Sequence, residues 1–428
     1  MTENNQLKRR SFLANSAGLS IGATTAPNLL AQRNTNDKIG VGIIGAGKRA
    51  KLLMPAIQDD PDVEIRCICD LYDLHLQEAV DLCKNKSVAT TKDYLAVINR
   101  NDIDAVFIFT PDFWHAPITI AATEARKDIY VEKGLCMNMG ETKAIAHAVK
   151  SNDVVFQLGH QGRNDEVNRQ ARKIFGSGDL GSVTYIRSFR SSSGAQPPYV
   201  GYYRRELAAN AGPGNIDWNR YMANAPRKYA FDRKRFGHWR LFWDYGLGVA
   251  GDFQSHSLDA IDMITGIGIP ESCAVQGGVH YWKDYMEAPD TWVASFNYPD
   301  KNISVSWSFL FQTNRPGWGT HYFGTDATME VGKSMQVYAE PHSDKWREWT
   351  RDRTPDQRDA PVISFDGTTT QNSTAEHVKN FYNCMRTRAM PQCNIDVAFT
   401  EMAINMMSVI AYREQRMTRW DPVKQDVV

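Results

Sequence analysis

The sequence lacks three features that mark common classes of binding protein: an excess of charge, a zinc-binding cysteine pattern, and a long apolar run beyond its N-terminal segment. Its 49 basic and 49 acidic residues cancel, so no global field attracts nucleic acid. Its 7 cysteines match no zinc spacing, and we interpret most of them as small buried apolar residues. No later apolar run reaches the roughly 20 residues of a membrane span. We therefore expect no metal centre, no nucleic acid partner and no membrane span.

Length and aromatic content indicate a globular protein of two domains. A chain of 428 residues is too long for one ordinary hydrophobic core. Apolar residues make up 42% of it and charged residues 23%, which is normal for a globular protein. Its 11 Trp and 17 Tyr can fill a core. Such side chains also line sugar-binding clefts, where their faces stack on C–H surfaces and their polar tips form hydrogen bonds.

The N-terminal segment, residues 1–33, has the pattern of an export signal followed by a linker. A polar start ends in Lys8-Arg9-Arg10, Ser11-Phe12-Leu13 follows, and residues 14–26 are weakly apolar and rich in Ala, Gly, Ser and Thr. Paired arginines before Ser-Phe-Leu resemble a twin-arginine signal, and a basic, frayed terminus is the alternative. The pattern predicts export, to the periplasm. Because this route carries folded proteins, a cofactor would be bound tightly before export.

A glycine-rich turn joins the first predicted strand to the first predicted helix. Residues 38–44 form a short apolar strand, and Gly45-Ala46-Gly47-Lys48-Arg49-Ala50 follows. Glycines allow a tight turn that approaches a pyrophosphate, and the helix N-terminus supplies amide donors. The second strand, residues 63–69, ends in Asp70, which is placed to accept the ribose hydroxyls of NAD and to repel the 2′-phosphate of NADP; the alternative is an ordinary strand-end residue. Arg49 could partly restore NADP binding, so NAD is the predicted cofactor and NADP the less favoured one.

Strands and helices alternate through residues 34–158, which predicts a Rossmann domain with a mostly parallel sheet. Two of its strands, residues 105–109 and 128–131, are followed by polar motifs. Ligands of such sheets bind beyond the carboxyl ends of the strands. The predicted cofactor-binding residues are Gly45, Gly47, Lys48, Arg49, Asp70, Thr110, Pro111, His115, Glu132 and Lys133.

Three residues have side chains suited to the oxidation of a secondary alcohol: Lys133, Asp252 and His256. Asp252 and His256 lie in residues 246–264, which we interpret as helical, and a spacing of four places them on one helix face. An imidazole can take the hydroxyl proton, and a lysine can stabilise the developing alkoxide. From spacing alone, a surface ion pair and a solvated lysine are the alternatives.

These motifs together resemble the glucose–fructose oxidoreductase / inositol dehydrogenase family, often called Gfo/Idh/MocA. The glycine turn, Thr110-Pro111 with His115 after it, Glu132-Lys133, Gln157-Leu158-Gly159 and Asp252-x-x-x-His256 match that family in order and approximate spacing. The resemblance covers nearly all of the chain after the N-terminal segment. It implies a Rossmann domain followed by a larger α/β domain, here residues 159–428, with an open, mostly antiparallel sheet.

The resemblance also implies roles for the three residues. In that family the motif after the fifth strand is Glu-Lys-Pro, its lysine contacts substrate and the nicotinamide ribose, and the later Asp and His line the reactive hydroxyl. Carried over, these roles fall on Lys133, Asp252 and His256. Gly134 stands in place of the proline, so the turn is less rigid, but the lysine is retained. The family further implies a homo-oligomer, a dimer or tetramer, formed through the open sheet.

The second half of the chain contains strand patterns, two late helices and an unusual insertion. Residues 196–245 are rich in Tyr, Trp and Arg with poor periodicity, which indicates a lid or substrate wall; an oligomer contact or loop packing is the alternative. The candidate substrate residues are His160, Arg163, Tyr203, Trp239, Arg240 and Trp243. The predicted strands are residues 183–190, 271–282, 291–298, 302–311 and 327–331, and the predicted helices are residues 374–386 and 397–414, which the sequence does not place against either domain.

Three functions agree with these observations. The first is an exported NAD-dependent oxidoreductase that acts on a secondary hydroxyl of a sugar, polyol or glycoside with a tightly bound cofactor. The second is a glycoside hydrolase of the same fold that works by oxidation, elimination, hydration and reduction, and so regenerates its cofactor in place. The third is a non-catalytic NAD-bound sensor, which the joint retention of lysine, aspartate and histidine disfavours.

Overall fold

The computed structural model describes residues 38–193, 207–351, 353–368 and 372–428. The predicted export segment and Tyr203 therefore lie outside the described residues. The described part contains two sheets and the helices that cover them, within one compact unit that begins at Lys38. The predicted domain boundary after residue 158 stays a prediction, although the first sheet ends at Leu158.

The first sheet is a six-stranded parallel sheet in the order β3-β2-β1-β4-β5-β6. This order is that of a Rossmann domain, and the predicted fold class is confirmed. The central strand is buried along its whole length because helices cover both faces of the sheet. Its strands are β1 Ile39–Ile44, β2 Val63–Cys69, β3 Ala89–Thr91, β4 Ala105–Ile108, β5 Asp128–Val131 and β6 Phe156–Leu158. Its helices are Lys48–Ile57, Asp73–Leu82, Tyr94–Ile98, Asp112–Glu124 and Met139–Asn152.

The second sheet has ten strands in the order β14-β13-β12-β11-β7-β10-β9-β8-β15-β16. Only the β7/β10 pair is parallel, so the sheet is mixed and mostly antiparallel, as predicted. Along β9 buried and exposed side chains alternate, which places Trp292 and Phe296 on the face covered by helices. Its strands are β7 Val183–Ser191, β8 Ser272–Gly278, β9 Thr291–Tyr298, β10 Ile303–Leu310, β11 Trp318–Gly324, β12 Ala327–Val331, β13 Met335–Ala339, β14 Ile363–Phe365, β15 Thr418–Asp421 and β16 Asp426–Val427.

One predicted strand is shorter than expected. The sequence pattern extended it to residue 282, but β8 ends at Gly278. The carboxylate of Asp290 accepts the backbone N–H groups of residues 280, 281 and 282 at 2.8–3.0 Å, so those groups are not available for a sheet ladder. The homo-oligomer expected through this sheet stays a prediction.

The segment predicted as one helix over residues 246–264 has two parts. A π-helical turn, Ala250–Gln254, leads directly into the α-helix Ser255–Thr265. The π turn has more residues per turn than an α-helix, so its side chains are rotated relative to a regular spacing, and such turns are frequent at functional sites. Asp252 lies in the π turn and His256 in the first turn of the α-helix. The remaining helices of this half are Glu166–Ser177, Trp218–Met222, Arg233–Gly237, Arg347–Arg351, Pro355–Arg358, Ser373–Thr387 and Ile395–Glu414, and single 3-10 turns lie at Gln161–Asn164, Trp239–Leu241 and Pro299–Lys301.

The structure shows where the two late helices pack, which the sequence did not indicate. Helix Ser373–Thr387 packs on the Rossmann sheet, where Tyr382 donates a hydrogen bond of 3.0 Å to the carbonyl of Ile57. Helix Ile395–Glu414 packs against β8, helix Met139–Asn152 and helix Ser255–Thr265. Among the described residues it is the one helix whose length and apolar composition would suit a membrane span, but 67% of its apolar window is buried inside the protein, as in a core helix.

Candidate active site

A deep cleft lies at the carboxyl ends of the parallel strands. Seven of the predicted cofactor residues line it, and so do Trp239 and Arg240 from the aromatic insertion. The seven are Gly45, Gly47, Lys48, Arg49, Asp70, Thr110 and Pro111. The cleft therefore runs along the edge at which Rossmann domains bind dinucleotides.

The glycine turn is shaped for close approach of a ligand to the backbone. Gly45 has a positive φ of 89°, and a Cβ there would lie 2.8 Å from the carbonyl carbon of Phe109, so only glycine fits. Gly47 precedes helix Lys48–Ile57, whose first turn carries no acidic residue. This arrangement leaves helix N–H groups and a favourable dipole for a pyrophosphate. The chain thus fits a dinucleotide at this turn.

Asp70 directly follows β2, and its carboxylate contacts the glycine turn. Its carboxylate accepts the N–H of Ala46 at 2.6 Å and the N–H of Tyr72 at 2.9 Å, and the His75 Nδ1 atom lies 3.4 Å away. Burial alone would raise the pKa of Asp70, but His75 and the two N–H donors outweigh it and hold the pKa below its usual value. Asp70 is therefore a fixed negative charge beside the turn.

Arg49 bridges the glycine turn to the ends of β5 and β6. Its guanidinium donates to the Glu132 carboxylate at 2.8 Å and to the side-chain oxygen of Gln161 at 3.1 Å. Glu132 is buried, and a Cβ on Gly159 would lie 2.8 Å from its carboxylate oxygen. The arginine expected to compensate for Asp70 in NADP binding is thus engaged by Glu132.

The described part of the aromatic insertion, residues 207–245, covers the cleft from the Rossmann side. The N–H of Asp73 donates to the carbonyl of Asn215 at 3.0 Å, and Trp114 Nε1 donates to the carbonyl of Tyr221 at 3.0 Å. Asn224 donates its side-chain N–H to the carbonyl of Phe113. The insertion adds Arg220, Tyr221, Phe236, Trp239 and Arg240 to the lining of the cleft. It is a wall over the dinucleotide cleft, whereas the sequence placed it only near the catalytic helix.

Lys133, Asp252 and Arg240 form one charged cluster at the end of β5. The Lys133 ammonium donates to the Asp252 carboxylate and, at 2.9 Å, to the Asp252 backbone carbonyl. Arg240 Nε donates to the same carboxylate at 3.2 Å and lies over the Trp239 ring. The side chains of Lys133 and Asp252 are only 9% and 13% exposed, so little water screens their attraction. The sequence predicted the lysine and the aspartate together, and the structure brings them into contact.

His256 lies beside this cluster with His160 behind it. The Nδ1 atoms of the two rings are 3.4 Å apart, and the ring planes are nearly perpendicular. Burial, Lys133 and His160 lower the pKa of His256 well below its usual value, so its imidazole is neutral and able to accept a proton. His160, predicted as a substrate residue, is fully buried and does not line the cleft.

Asp112 belongs to this site although sequence reasoning missed it. It is the first residue of helix Asp112–Glu124, is 4% exposed, and its Oδ2 lies 3.2–3.5 Å from where a Cβ on Gly134, Gly246 or Gly251 would be. Burial raises its pKa to about 7, while Arg240 and Lys133 oppose that rise. The sequence did offer one indication of this role: Asp112 directly follows Thr110-Pro111, at the end of a strand where ligands of such sheets bind.

Three further predicted residues have structural contacts instead of places in the cleft. Both ring nitrogens of His115 lie 2.7 Å from backbone carbonyls, those of Gly134 and Thr110, so this ring ties the Lys133–Gly134 turn to the end of β4. Arg163 is buried and pairs with Asp259 and Asp262, because a buried guanidinium requires carboxylate partners. Trp243 packs against the last helix, with Arg413 over its ring.

The cluster has the parts needed to move a proton to or from a hydroxyl group. A cationic donor, Lys133, is held by a carboxylate, and a neutral imidazole, His256, lies beside it. Within the residues that the structure describes, no group of His, Cys, Asp or Glu could hold a metal ion. All seven cysteines are buried and free, as expected from the sequence.

Comparison with known protein families matches two consecutive segments of the chain, residues 39–160 and 165–301. Residues 39–160 match the Gfo/Idh/MocA family, described as an oxidoreductase family with an NAD-binding Rossmann fold. Residues 165–301 match the domain described as the C-terminal alpha/beta domain of the same oxidoreductase family.

Individual relatives include dehydrogenases and glycosidases. The chain is 35% identical over 135 residues to scyllo-inositol 2-dehydrogenase (NAD(+)) of Bacillus subtilis, which covers 32% of this chain and 40% of that protein. It is 30% identical over 187 residues to alpha-N-acetylgalactosaminidase of Shewanella oneidensis, which covers 41% of this chain and 39% of that protein. The chain thus matches about two-fifths of the length of each of these relatives.

Solved structures share the fold across nearly the whole chain. Levoglucosan dehydrogenase in complex with NADH and levoglucosan has a TM-score of 0.66 at 16% identity and covers 90% of this chain and 99% of its own. The aldose-aldose oxidoreductase from Caulobacter crescentus complexed with glycerol has a TM-score of 0.64 at 16% identity and covers 89% of this chain and 99% of its own.

Proposed function

The chain belongs to the Gfo/Idh/MocA family of NAD-binding oxidoreductases, and on that premise we propose that it moves a hydride between a secondary hydroxyl of a sugar, polyol or glycoside and a tightly held NAD. The observation that carries the proposal is the contact between Lys133 and Asp252 beside the neutral imidazole of His256. These groups adjoin a cleft that fits a dinucleotide. The relatives that act on inositol and N-acetylgalactosaminides support a carbohydrate substrate.

The roles of the side chains follow from what each can donate or accept. Lys133 donates to the substrate oxygen and stabilises negative charge that develops there. Asp252 fixes the lysine by accepting its N–H. His256 takes the hydroxyl proton because its neutral ring has a free lone pair. Arg240, which belongs to the insertion, donates a second hydrogen bond to the Asp252 carboxylate. When bound, NAD supplies the hydride acceptor.

Asp70 supports NAD over NADP, because a fixed carboxylate beside the glycine turn disfavours a phosphate on the ribose. The wall formed by residues 207–245 supports slow release of the cofactor, since part of the cleft lies beneath it. The proposed export by the twin-arginine route agrees with slow release of the cofactor, because a protein outside the cytoplasm has no pool of free NAD to draw on.

A second function, glycoside cleavage by oxidation, elimination, hydration and reduction, is favoured by the relatives named as family 109 glycosyl hydrolases. In such a cycle the hydride returns to the sugar before the product leaves, so the cofactor emerges unchanged. An enclosed cofactor suits this cycle as well as it suits a dehydrogenase.

One experiment separates these functions. The purified holoprotein is incubated without added cofactor with scyllo-inositol, levoglucosan, and nitrophenyl N-acetyl-α-galactosaminide. Near-ultraviolet absorbance reports reduction of bound NAD, and released nitrophenol reports cleavage. Asp252→Asn should lower either rate by about 100-fold, while Asp300→Asn, in an exposed turn outside the cluster, should leave it within about twofold.

Each outcome has a distinct meaning. Stoichiometric reduction of bound NAD without turnover supports the dehydrogenase. Continuous nitrophenol release supports the glycosidase. If NAD is bound but neither signal appears with any of these substrates, the catalytic proposal is contradicted and a sensor function is favoured.

A further inference from the structure

Behind His256 a row of buried polar side chains leads away from the cleft to the last helix. His256 Nδ1 lies 3.4 Å from His160 Nδ1, and His160 Nε2 lies 3.8 Å from Glu401 Oε2. His160 is fully buried and Glu401 is 2% exposed. A buried carboxylate is costly unless it has partners, so its position next to a histidine requires an explanation.

The atoms that face each other in this row have no other partner. Neither His160 Nε2 nor Glu401 Oε2 forms a hydrogen bond within the part of the chain that the structure describes. A water that joined atoms 3.8 Å apart by two hydrogen bonds of about 2.8 Å would need an angle of about 85° at its oxygen, well below the tetrahedral value, so direct contact is favoured. The two side chains therefore satisfy one another by a small approach.

Glu401 is fixed from its other side by a network that reaches the second sheet. Asn405 donates its side-chain N–H to Glu401 Oε1, and Gln254 donates to Asn405 Oδ1 at 3.0 Å. Trp292 of β9 donates to Gln254 at 3.1 Å. Gln254 is the last residue of the π turn that carries Asp252. The carboxylate is thus oriented toward His160 by groups that are themselves fully buried.

We propose that Glu401 and His160 are positioning residues that set the tautomer of His256, so that its Nε2 atom is the unprotonated base. As a carboxylate, Glu401 only accepts, so His160 carries its proton on Nε2. The His160 Nδ1 lone pair then accepts from His256 Nδ1, which leaves the proton of His256 on Nδ1 and its Nε2 free. The arrangement follows the logic by which a carboxylate orients the imidazole of a catalytic triad.

The same row can hold the proton that oxidation releases. This inference rests on the proposed function, in which the alcohol C–H bond breaks and its electron pair leaves as hydride to the nicotinamide. The hydroxyl proton passes to His256 Nε2, and the Nδ1 proton of His256 passes to His160 Nδ1. His160 is then an imidazolium beside Glu401. In the reverse reduction the same protons return, so no proton need enter from solvent.

The charged groups around the two rings agree with that direction of transfer. Asp259, Glu401, Arg163, His377 and Cys393 face His160 from five neighbouring segments. Burial alone would lower the pKa of His160, but Asp259 and Glu401 outweigh burial and Arg163 and raise it. Lys133, Asp252 and Arg49 act on His256, whose pKa is lowered. A proton that reaches His256 is therefore favoured on His160.

The tautomer can be read directly by nuclear magnetic resonance of the holoprotein labelled with ¹⁵N in its histidine rings. The His256 signals are assigned by their loss in His256→Gln. We expect a proton on Nδ1 and none on Nε2 of His256 in the parent protein and in Thr400→Ala, which removes a hydroxyl that donates to the carbonyl of Asp396 on the exposed side of the same helix. Glu401→Gln, whose amide can donate to His160, should move the His256 proton to Nε2.

The pH dependence of the rate at which substrate reduces bound NAD supplies a second readout, which loss of packing alone would not change. Removing the negative charge in Glu401→Gln lowers the pKa of the histidine pair, so the midpoint of the acid limb should fall by about one pH unit, with a roughly tenfold lower plateau. Thr400→Ala should keep both values.

A parent protein with the His256 proton on Nε2, or a Glu401→Gln protein with an unchanged tautomer and midpoint, would overturn the proposal. The parent tautomer is measured without any variant, so a Glu401→Gln protein that does not fold leaves a decisive test. Absence of both NAD reduction and glycoside cleavage in the parent protein would contradict the proposed function, whereas the tautomer result does not depend on either reaction.

Discussion

Among single residues, Asp112 has the environment furthest from that of an ordinary aspartate. Its pKa of about 7 in the folded state exceeds the unfolded value of 3.8. The folded protein therefore binds a proton there that the unfolded chain does not bind between about pH 4 and pH 7, and stability falls as the pH rises through this window. Asp112→Asn removes this dependence, so its stability relative to the parent should rise by up to about 4 kcal/mol between pH 4 and pH 8.

Urea unfolding at several pH values measures this difference. Asp300→Asn, an exposed residue in a surface turn, is the matched control and should follow the parent at every pH. If Asp112→Asn and Asp300→Asn show the same pH dependence, the buried carboxyl is not the source of the effect.

Asp70 provides a test of cofactor preference. Asp70→Asn keeps a side chain that can accept the Ala46 N–H but removes the charge. The ratio of the NADP to the NAD dissociation constant should therefore fall at least about tenfold. Titration calorimetry on protein freed of copurified cofactor measures both constants. Asp73→Asn removes a nearby, half-exposed carboxylate and should keep the parent ratio; an unchanged ratio in Asp70→Asn as well would contradict the role of Asp70.

Sequence reasoning found the site residues that can be recognised from the few residues around them. The glycine turn, Asp70 and Lys133 all follow directly from a strand end, and a strand end can be recognised within a few residues. Glu401 could not be found in this way, because its partner His160 is 241 positions earlier in the chain. His160, Arg163 and Trp243 were assigned to the cleft because their residue types suggested binding. Only the tertiary structure shows that His160 and Arg163 are buried and that Trp243 packs against the last helix.

At the scale of the element, we expect the insertion over the cleft to limit exchange of the cofactor. Asn224 lies outside the cleft lining, and its side chain ties the insertion to the carbonyl of Phe113. Loss of one such hydrogen bond costs about 1 kcal/mol, so Asn224→Ala should release NADH about fivefold faster. Stopped-flow fluorescence with excess NAD as chase measures the rate.

The control for this experiment lies in the same segment. Asn219 is exposed and forms none of the contacts that hold the insertion on the Rossmann domain, so Asn219→Ala should release NADH at the parent rate. If Asn224→Ala also releases NADH at that rate, the insertion does not limit cofactor exchange.

Elements in which apolar and polar residues alternate regularly were predictable. Elements that depend on contacts with other segments of the chain were not. Strands β9 and β12 agree with the predicted bounds, because their alternation of apolar and polar side chains is regular. The π turn at Ala250–Gln254 escaped prediction, since it differs from an α-helix by a single extra residue per turn. Strands β15 and β16 are short strands at the edge of the sheet, where β15 pairs with β8 and β16 pairs with β15, so each depends on a partner that is distant or irregular in sequence pattern.

At the scale of the whole molecule, the export prediction can be tested in a bacterium that has twin-arginine export. Arg9→Lys with Arg10→Lys should lower the periplasmic fraction at least about tenfold, because that route reads the arginine pair. Lys8→Gln leaves the pair intact and is the control. Fractionation with immunodetection gives the ratio. Equal periplasmic fractions for the parent and the double variant would contradict the prediction.

The parallel first sheet was predictable from strand alternation, but the later elements that pack on it were not. No local pattern indicates that helix Ser373–Thr387 returns to the Rossmann sheet, since its apolar face would suit either domain. Nor does any local pattern indicate that the wall formed by residues 207–245 packs on the Rossmann domain. Both depend on surfaces that exist only after the separate parts have folded.

The place of Glu401 on the last long helix has a consequence for the order in which the molecule is made. The ribosome completes the glycine turn, Lys133 and His256 well before it synthesises Ile395–Glu414. Until that helix packs beside the π turn, His160 faces Asp259 but lacks the carboxylate of Glu401, and under our proposal the tautomer of His256 is unset. We therefore expect a chain that ends before Ile395 to lack a prepared base, so that chemistry begins only when the whole chain has emerged.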